Sequence, residues 1–313
     1  MKKVSFQRPD IVRPPSEWKS YFLPLTKGCS NNTCTFCANY GSKLQIRGIE
    51  EVKAEIDALH LYVRSGIRLT DVHPIVYEVA PNLGSKRIFL QDSDALVYPY
   101  PKLREILQYL NKKFPDLERI SAYATPQDLL RRNAEELKVL KDLKLSILYV
   151  GVESGDDEVL RRVRKRVSHD EILAATNKAK EAGITLSVTV ILGLGGVKGS
   201  HRHALETSRI LSEIDPEFGG ALTLTLVPGT PLYEEVQEEK FELISPFQSL
   251  EELRLIIEHS SFTNCFFSSM HASNYFSVRG ILPQDKGPMI KQLDDILSKG
   301  DTSLLRAEFM RGL

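Results

Sequence analysis

Three of the four cysteines of this 313-residue chain fall in one segment, Gly28-Cys29-Ser30-Asn31-Asn32-Thr33-Cys34-Thr35-Phe36-Cys37, at spacing i, i+5 and i+8. Cys265 stands alone far downstream. Three thiols so close together read as metal ligands rather than as a disulfide framework. Thiolates are soft donors suited to iron-sulfur clusters and to zinc, and a protein that supplies only three leaves one metal position open to an exogenous ligand. The alternative is a structural zinc completed by Cys265 or a histidine, but such sites usually show paired CxxC knuckles and only one is present.

These residues need elements to position them. Apolar runs place strands at Ser20 to Lys27, Arg87 to Gln91, Arg119 to Tyr123, Ser146 to Glu153, Thr185 to Leu192 and Gly220 to Val227. Between them lie amphipathic stripes such as Ile49, Val52, Ile56, Leu59, Val63 and Leu103, Ile106, Leu107, Leu110, Phe114. Ser168 with Glu171 forms a capping-box pattern, and Gly183 sits where that helix stops. Repeated βα units give an open doubly wound sheet or a barrel. Distinctive residues recur at the predicted carboxyl ends of strands: Cys29, Asp92-Ser93-Asp94, Thr125, Glu153-Ser154, Gly193 with Gly195, and Pro228-Gly229-Thr230. In a barrel those ends share one mouth, where active sites are built.

The cysteine loop after the first strand resembles that of the radical S-adenosylmethionine (radical SAM) enzymes. Their usual CxxxCxxC is lengthened here by one residue in the first gap, and Phe36 holds the aromatic place before the last cysteine. The resemblance runs over residues 20 to 235 and implies a partial (β/α)6 TIM-type barrel. It implies a 4Fe-4S cluster on Cys29, Cys34 and Cys37, with the open iron chelating S-adenosylmethionine, whose reductive cleavage gives a 5′-deoxyadenosyl radical that takes hydrogen from a substrate. Asp92, Ser93 and Asp94 stand where the family receives the methionine amine, although its usual glycines are missing; such residues also cap helices. Gly151-Val152-Glu153-Ser154-Gly155 is similar to the ribose motif, a strand-end Glu alone being equally suited to a solvated rim. Gly193 and Gly195 fall where adenine lies, and they fail the dinucleotide fingerprint because its third glycine position holds Lys198. Val227-Pro228-Gly229-Thr230-Pro231-Leu232-Tyr233 is similar to a segment many members carry, and alone it is turn chemistry.

Outside the resemblance, Arg161 to Arg166 carries five positive charges and is expected as a solvated helix face; the sharper reading uses Arg164 or Lys165 to hold a carboxylate or phosphate. A helix is predicted from Ser249 to Glu258 with Ser-x-x-Glu capping, and a final one through Met289, Ile290, Leu293, Ile296 and Leu297. In the segment from Cys265 to Tyr275, His271 is a candidate acid or base and Cys265 or Tyr275 a candidate hydrogen-atom donor, against the commoner fates of a buried Cys and a hydrogen-bonded His. The expected organisation is a lead-in (1–19), the core (20–235) and an extension covering the barrel mouth (236–313).

With 41 basic and 41 acidic side chains the chain offers no bulk nucleic-acid signal, and no stretch approaches the roughly 20 apolar residues of a membrane span. The start has no apolar signal region, and a cytoplasmic protein is expected. No second cysteine cluster for an auxiliary iron-sulfur centre is present. The expected partners are a small-molecule substrate and a one-electron donor such as flavodoxin or ferredoxin. The competing class is a haem- or porphyrin-binding barrel of the same family without radical catalysis, with His271 or another histidine as axial ligand.

Overall fold

Buried apolar runs become strands in the computed structural model, which describes residues 6–312. They are β1 (Tyr21–Pro24), β2 (Thr26–Lys27), β3 (Gln45–Ile46), β4 (Arg87–Gln91), β5 (Arg119–Ala124), β6 (Leu145–Glu153), β7 (Thr185–Leu192), β8 (Phe218–Thr223), β9 (Cys265–Ser268) and β10 (Arg279–Leu282). Eight of them form one sheet in the order β1-β4-β5-β6-β7-β8-β9-β10, and β2 with β3 makes a small antiparallel ribbon. Parallel pairing with helical crossovers, as at β1 with β4, β4 with β5 and β7 with β8, is that of a partial TIM-type barrel.

By contact density the chain divides into two compact units. The first holds residues up to 32, 41–149 and 178–185. Its strands are apolar on both faces: Leu23, Ile88, Phe89, Leu90 and Ile120 are all fully buried. Each such side chain contributes about 1.5–3 kcal/mol relative to exposure. The helix Ile49–Ser65 turns Val52, Ile56 and Leu59 inward and ends at Gly66, whose positive φ of 72° closes the last turn. Two buried carboxylates tie the amino-terminal segment to this core. Glu55 meets Arg8 at 2.8 Å, Arg47 at 2.6 Å and the Tyr21 hydroxyl at 2.9 Å. Glu17 meets Arg119 at 2.8 Å and accepts from Tyr149 at 2.7 Å. Residues 1–5 of the expected lead-in lie outside the described residues.

The second unit holds residues 33–40, 150–177 and 186 onward. In β7 the residues Leu186, Val188, Val190 and Leu192 are buried while Thr185, Ser187, Thr189 and Ile191 are half-buried. One face is therefore core and the other is open enough to carry polar groups. The expected capping box forms: Ser168 N–H donates to Glu171 at 2.8 Å and Glu171 N–H donates to Ser168 Oγ at 3.2 Å. Gly183 takes a φ of 76°. The helices Gly196–Ile214 and Pro246–His259 pack against each other, and Pro246–His259 packs on Lys286–Lys299.

Four expectations change. The first strand is interrupted at Leu25, whose amide bonds Gln91 and whose carbonyl accepts from Arg47, so the sheet stops at Pro24. The last core strand ends at Thr223, and Pro228 to Thr230 follow an irregular stretch. The late helix begins at Pro246, capped by Ser245 with Gln248; Ser249 lies inside it and is buried, as is Glu252. The basic run is solvated at Arg161, Arg162, Arg164 and Arg166 but is not one helix face: its helix covers only Asp157–Arg162, Arg164 and Arg166 have positive φ, and Lys165 between them is buried.

The extension extends the sheet. β9 pairs parallel with β8 and β10 antiparallel with β9. The segment after β9 also reaches the carboxyl end of β8, where Thr223 N–H donates to Ser273 Oγ at 3.2 Å and Thr223 Oγ1 donates to Asn274 at 2.8 Å.

Candidate functional site

In the first unit the loop after β2 is fixed by carboxylates from the end of β4. Gly28, at a φ of 80°, donates its N–H to Asp92 Oδ2 at 3.0 Å. A Cβ there would lie 3.1 Å from the Lys43 carbonyl oxygen, so both conformation and space call for glycine. Burial holds the Asp92 carboxyl above its usual value, opposed by the Gly28 amide and by Ser93. Ser93 Oγ donates to Asp92 Oδ1 at 3.2 Å.

Asp94 has a different environment. It is fully buried, and Ser30 Oγ lies 2.6 Å from its Oδ2 and 2.5 Å from Asp128 Oδ2. One hydroxyl proton cannot serve two carboxylates, so a second proton must sit within this group. Burial, and then Asp128, push Asp94 well above the carboxylate range. Burial also acts to raise Asp128, but hydrogen bonds from Asp94, Ser30 and Thr125 and the charge of Arg131 outweigh it and leave Asp128 lowered. Asp94 is therefore the protonated member, and it supports Ser30 beside Cys29 rather than offering a free carboxylate to an ammonium group. Asp128 was not a sequence candidate; the capping of Pro126–Arg131 by Thr125 was its one visible signal.

In the second unit Thr35 anchors the loop that carries Cys34, Phe36 and Cys37. Its N–H donates to the Val163 carbonyl at 3.0 Å, and its own carbonyl accepts from Leu232 N–H at 3.0 Å. The Pro-Gly-Thr-Pro-Leu-Tyr segment thus acts on the cysteine loop, with Thr230 capping the helix Pro231–Gln237 that delivers Leu232. Phe36 packs on the buried cluster of Val159, Val163, Leu194, Leu224, Leu232 and Phe241. Burial pushes the Cys34 thiol up to about 11, with Lys165 pulling it down and Glu153 pushing it up. Burial raises Cys37 too, opposed by the Asn39 N–H, which donates to its sulfur at 3.4 Å.

Glu153 closes β6 with a φ of 66°, a conformation non-glycine residues seldom adopt. Its carboxylate pairs with Lys165 at 2.8 Å, both side chains being largely buried at 13% and 8% exposure. A Cβ on Gly151 would fall 2.1 Å from Glu153 Oε1, so the carboxylate lies back over the glycine. Ser154 is fully buried and bonds His203 Nδ1 at 2.8 Å, a supporting position rather than an open one. Gly193 N–H donates to the buried Glu252 at 2.6 Å, and Gly195 precedes the helix Gly196–Ile214. His203 and Glu252 were not among the sequence candidates, whereas Lys165 was named with Arg164 as a holder of a carboxylate or phosphate.

In the tail, His271 Nδ1 lies 2.9 Å from Ser273 Oγ, and burial together with Arg306 lowers its pKa. Tyr275 donates to Glu308 at 2.6 Å, and burial pushes its hydroxyl up to about 12. Cys265 begins β9, hence lies at the amino end of a strand parallel to β8, fully buried and pushed up to about 12 by that burial. That end of the strand is opposite to the one bearing the other candidates, and Cys265 is dropped from them.

The donor set fits an iron-sulfur cluster: thiols in low-dielectric surroundings, one sulfur accepting a backbone N–H, and an ammonium near Cys34. Among the described residues no three His, Cys, Asp or Glu side chains are grouped around a single metal position. A cluster differs in that each thiolate binds its own iron.

Comparison with known proteins agrees with this chemistry. The Radical SAM superfamily model matches residues 23–208, more than half of the chain, and the chain belongs to that superfamily. Its cofactors are those of the family, a 4Fe-4S cluster and S-adenosylmethionine. The chain is 24% identical over 226 residues to heme chaperone HemW of Bacillus subtilis, covering 64% of this chain and 58% of that protein. It is 24% identical over 267 residues to the tRNA-2-methylthio-N(6)-dimethylallyladenosine synthase of Bordetella avium, covering 80% and 52%. The chain thus spans little more than half the length of these relatives. The solved coproporphyrinogen III oxidase HemN of Escherichia coli shares the fold, with a TM-score of 0.52 at 20% identity over 76% of this chain and 51% of that one. Family enzymes act on small or macromolecular substrates and need an electron donor. No helix among the described residues is long and apolar enough to cross a membrane.

Proposed function

We propose that the chain is a radical S-adenosylmethionine enzyme in which Cys29, Cys34 and Cys37 hold the cluster, acting on a small-molecule substrate with electrons from a flavodoxin- or ferredoxin-like donor in the cytoplasm. The observation that carries the reading is the buried Glu153–Lys165 pair at the end of β6, in the same unit as two of the thiols. When bound, the cofactors supply the reductive cleavage that yields a 5′-deoxyadenosyl radical.

The chain's own residues bind and orient. Glu153, paired with Lys165, accepts hydrogen bonds from the ribose hydroxyls, and the Lys165 ammonium faces a carboxylate. Asp92, half-served by Gly28 and Ser93, receives the methionine ammonium. Gly193 and Gly195 let the backbone approach adenine. Phe36 and the apolar cluster beneath it exclude water from the thiolates. The core is assigned to residues 20–235 and the substrate-side extension to 236–313, with His271 and Tyr275 as the polar groups it contributes.

The test is anaerobic reconstitution with iron and sulfide, then dithionite and S-adenosylmethionine, with chromatography for 5′-deoxyadenosine and a Cys34→Ala control. Nucleoside from wild type alone supports the proposal. A well-formed cluster that neither binds nor cleaves S-adenosylmethionine overturns it. A Soret band on haem addition in that case favours the haem-binding reading, which the likeness to HemW keeps in view.

A further inference from the structure

The turns after β6 and β7 are joined by a buried polar network that the proposed nucleoside contacts leave unexplained. His203 lies fully buried on the helix Gly196–Ile214. Its Nε2 is 3.0 Å from the Ile191 carbonyl oxygen, which can only accept, so Nε2 carries the proton. Nδ1 is then the acceptor, and Ser154 Oγ donates to it at 2.8 Å. Ser154 Oγ in turn accepts from Asp156 N–H at 3.0 Å. One ring thereby links the residue beside Glu153 to the residue two before Gly193.

The second member is Glu252. It comes from the helix Pro246–His259, within the tail, is 1% exposed, and accepts the Gly193 N–H at 2.6 Å. The same peptide is held on its other side, because the Leu192 carbonyl accepts from Leu224 N–H at 2.9 Å. Gly193 itself has a φ of 83°, and a Cβ on Gly195 would stand 3.0 Å from both the Gly199 carbonyl oxygen and His203 Cβ. His203 Nε2 lies 4.0 Å from Glu252 Oε2. Burial raises Glu252 against the pull of His203, Ser200 and the Gly193 amide. A carboxylate this deeply buried needs a reason, and the reason the contacts give is the orientation of one peptide.

We infer that Glu252, with His203, is a positioning residue for the nucleoside half of S-adenosylmethionine, fixing the Gly193 peptide from the tail and the Glu153-Ser154 turn from the helix. The inference rests on the function proposed above. It makes the carboxyl-terminal tail part of cofactor recognition before it touches any substrate.

Two conservative variants separate reach from charge. Glu252→Gln keeps an acceptor at the same distance and is expected to bind S-adenosylmethionine and 5′-deoxyadenosine within about twofold of wild type. Glu252→Asp keeps the charge but falls one methylene short of the Gly193 N–H, and both affinities should drop about tenfold, the worth of one buried hydrogen bond. Methionine, which lacks the nucleoside, should bind all three reconstituted proteins alike, with equal iron and sulfide content. Wild-type affinity in Glu252→Asp, or a parallel loss of methionine binding, overturns the inference. So does a Glu252→Gln protein as weak as Glu252→Asp, since charge would then matter instead of reach. Wild type that binds methionine but not S-adenosylmethionine overturns the underlying functional proposal instead.

Discussion

Single atoms decide much of what the site can do. The shared proton of Asp94 and Asp128 gives a pH signature whose sign follows from Asp94 being raised. The unfolded chain releases that proton near the ordinary aspartate value while the folded chain keeps it, so this group's contribution falls as pH rises from about 4 toward the folded value. Asp94→Asn mimics the protonated acid, and its urea midpoint should decline less than that of wild type between pH 4.5 and pH 7. A variant that declines as steeply as wild type would place the proton elsewhere. Gly151→Ala tests Glu153 in the same spirit. The added methyl would meet the far ends of two flexible side chains, Glu153 Oε1 at 2.1 Å and Lys165 Nζ at 3.2 Å, so the protein should fold while the carboxylate swings off Lys165. S-adenosylmethionine binding should weaken by about tenfold, the scale of one lost charged hydrogen bond, with the thermal midpoint nearly unchanged. At this scale the sequence singles out residues whose type declares a chemistry, the cysteines and Glu153. For Lys165 it offered only a choice with Arg164, because a basic run gives no sign which of its residues two flanking positions with positive φ turn inward.

Elements were read well where one periodicity governs them and poorly where a neighbour does. Arg87–Gln91 and Thr185–Leu192 match their predicted bounds because a buried parallel strand is apolar from end to end or alternates cleanly. Gly220 to Val227 was too long because its apolar run continues past the last pairing residue, Thr223. The helix start was misplaced at Ser249 because two Ser-x-x-Gln/Glu patterns follow one another there, and the proline after Ser245 selects the earlier one. Gly155 shows what pattern reading cannot see. A Cβ at that position would stand 2.0 Å from the Glu206 carbonyl oxygen on the helix Gly196–Ile214, a contact with backbone that no rotamer can relieve. Gly155→Ala should therefore cost about 3 kcal/mol, the upper range of overpacking, read as a lowered urea midpoint at unchanged m-value. Loss well under 1 kcal/mol would mean that the helix is free to retreat.

For the whole molecule, cofactor binding and folding are linked quantities, and the linkage tests the site without any substrate being known. A ligand that binds only the folded state stabilises it by RT ln(1 + [L]/Kd), about 2.7 kcal/mol at a hundredfold excess over Kd. Reconstituted wild type should gain about that much from S-adenosylmethionine, read by denaturant melts under anaerobic conditions. The apo protein should gain far less, since the amine and carboxylate would have no iron to meet, and Cys34→Ala should behave as apo even after reconstitution. Glu153→Gln should sit between them, losing the ribose contact but keeping the cluster. If apo and reconstituted proteins gain equally, S-adenosylmethionine is held by the protein alone and the three cysteines serve some other metal. This ordering holds whichever reaction follows the first hydrogen abstraction. That matters because the chain spans only 58% and 52% of the HemW and methylthio-synthase relatives, whose names point to different chemistries on one shared fold.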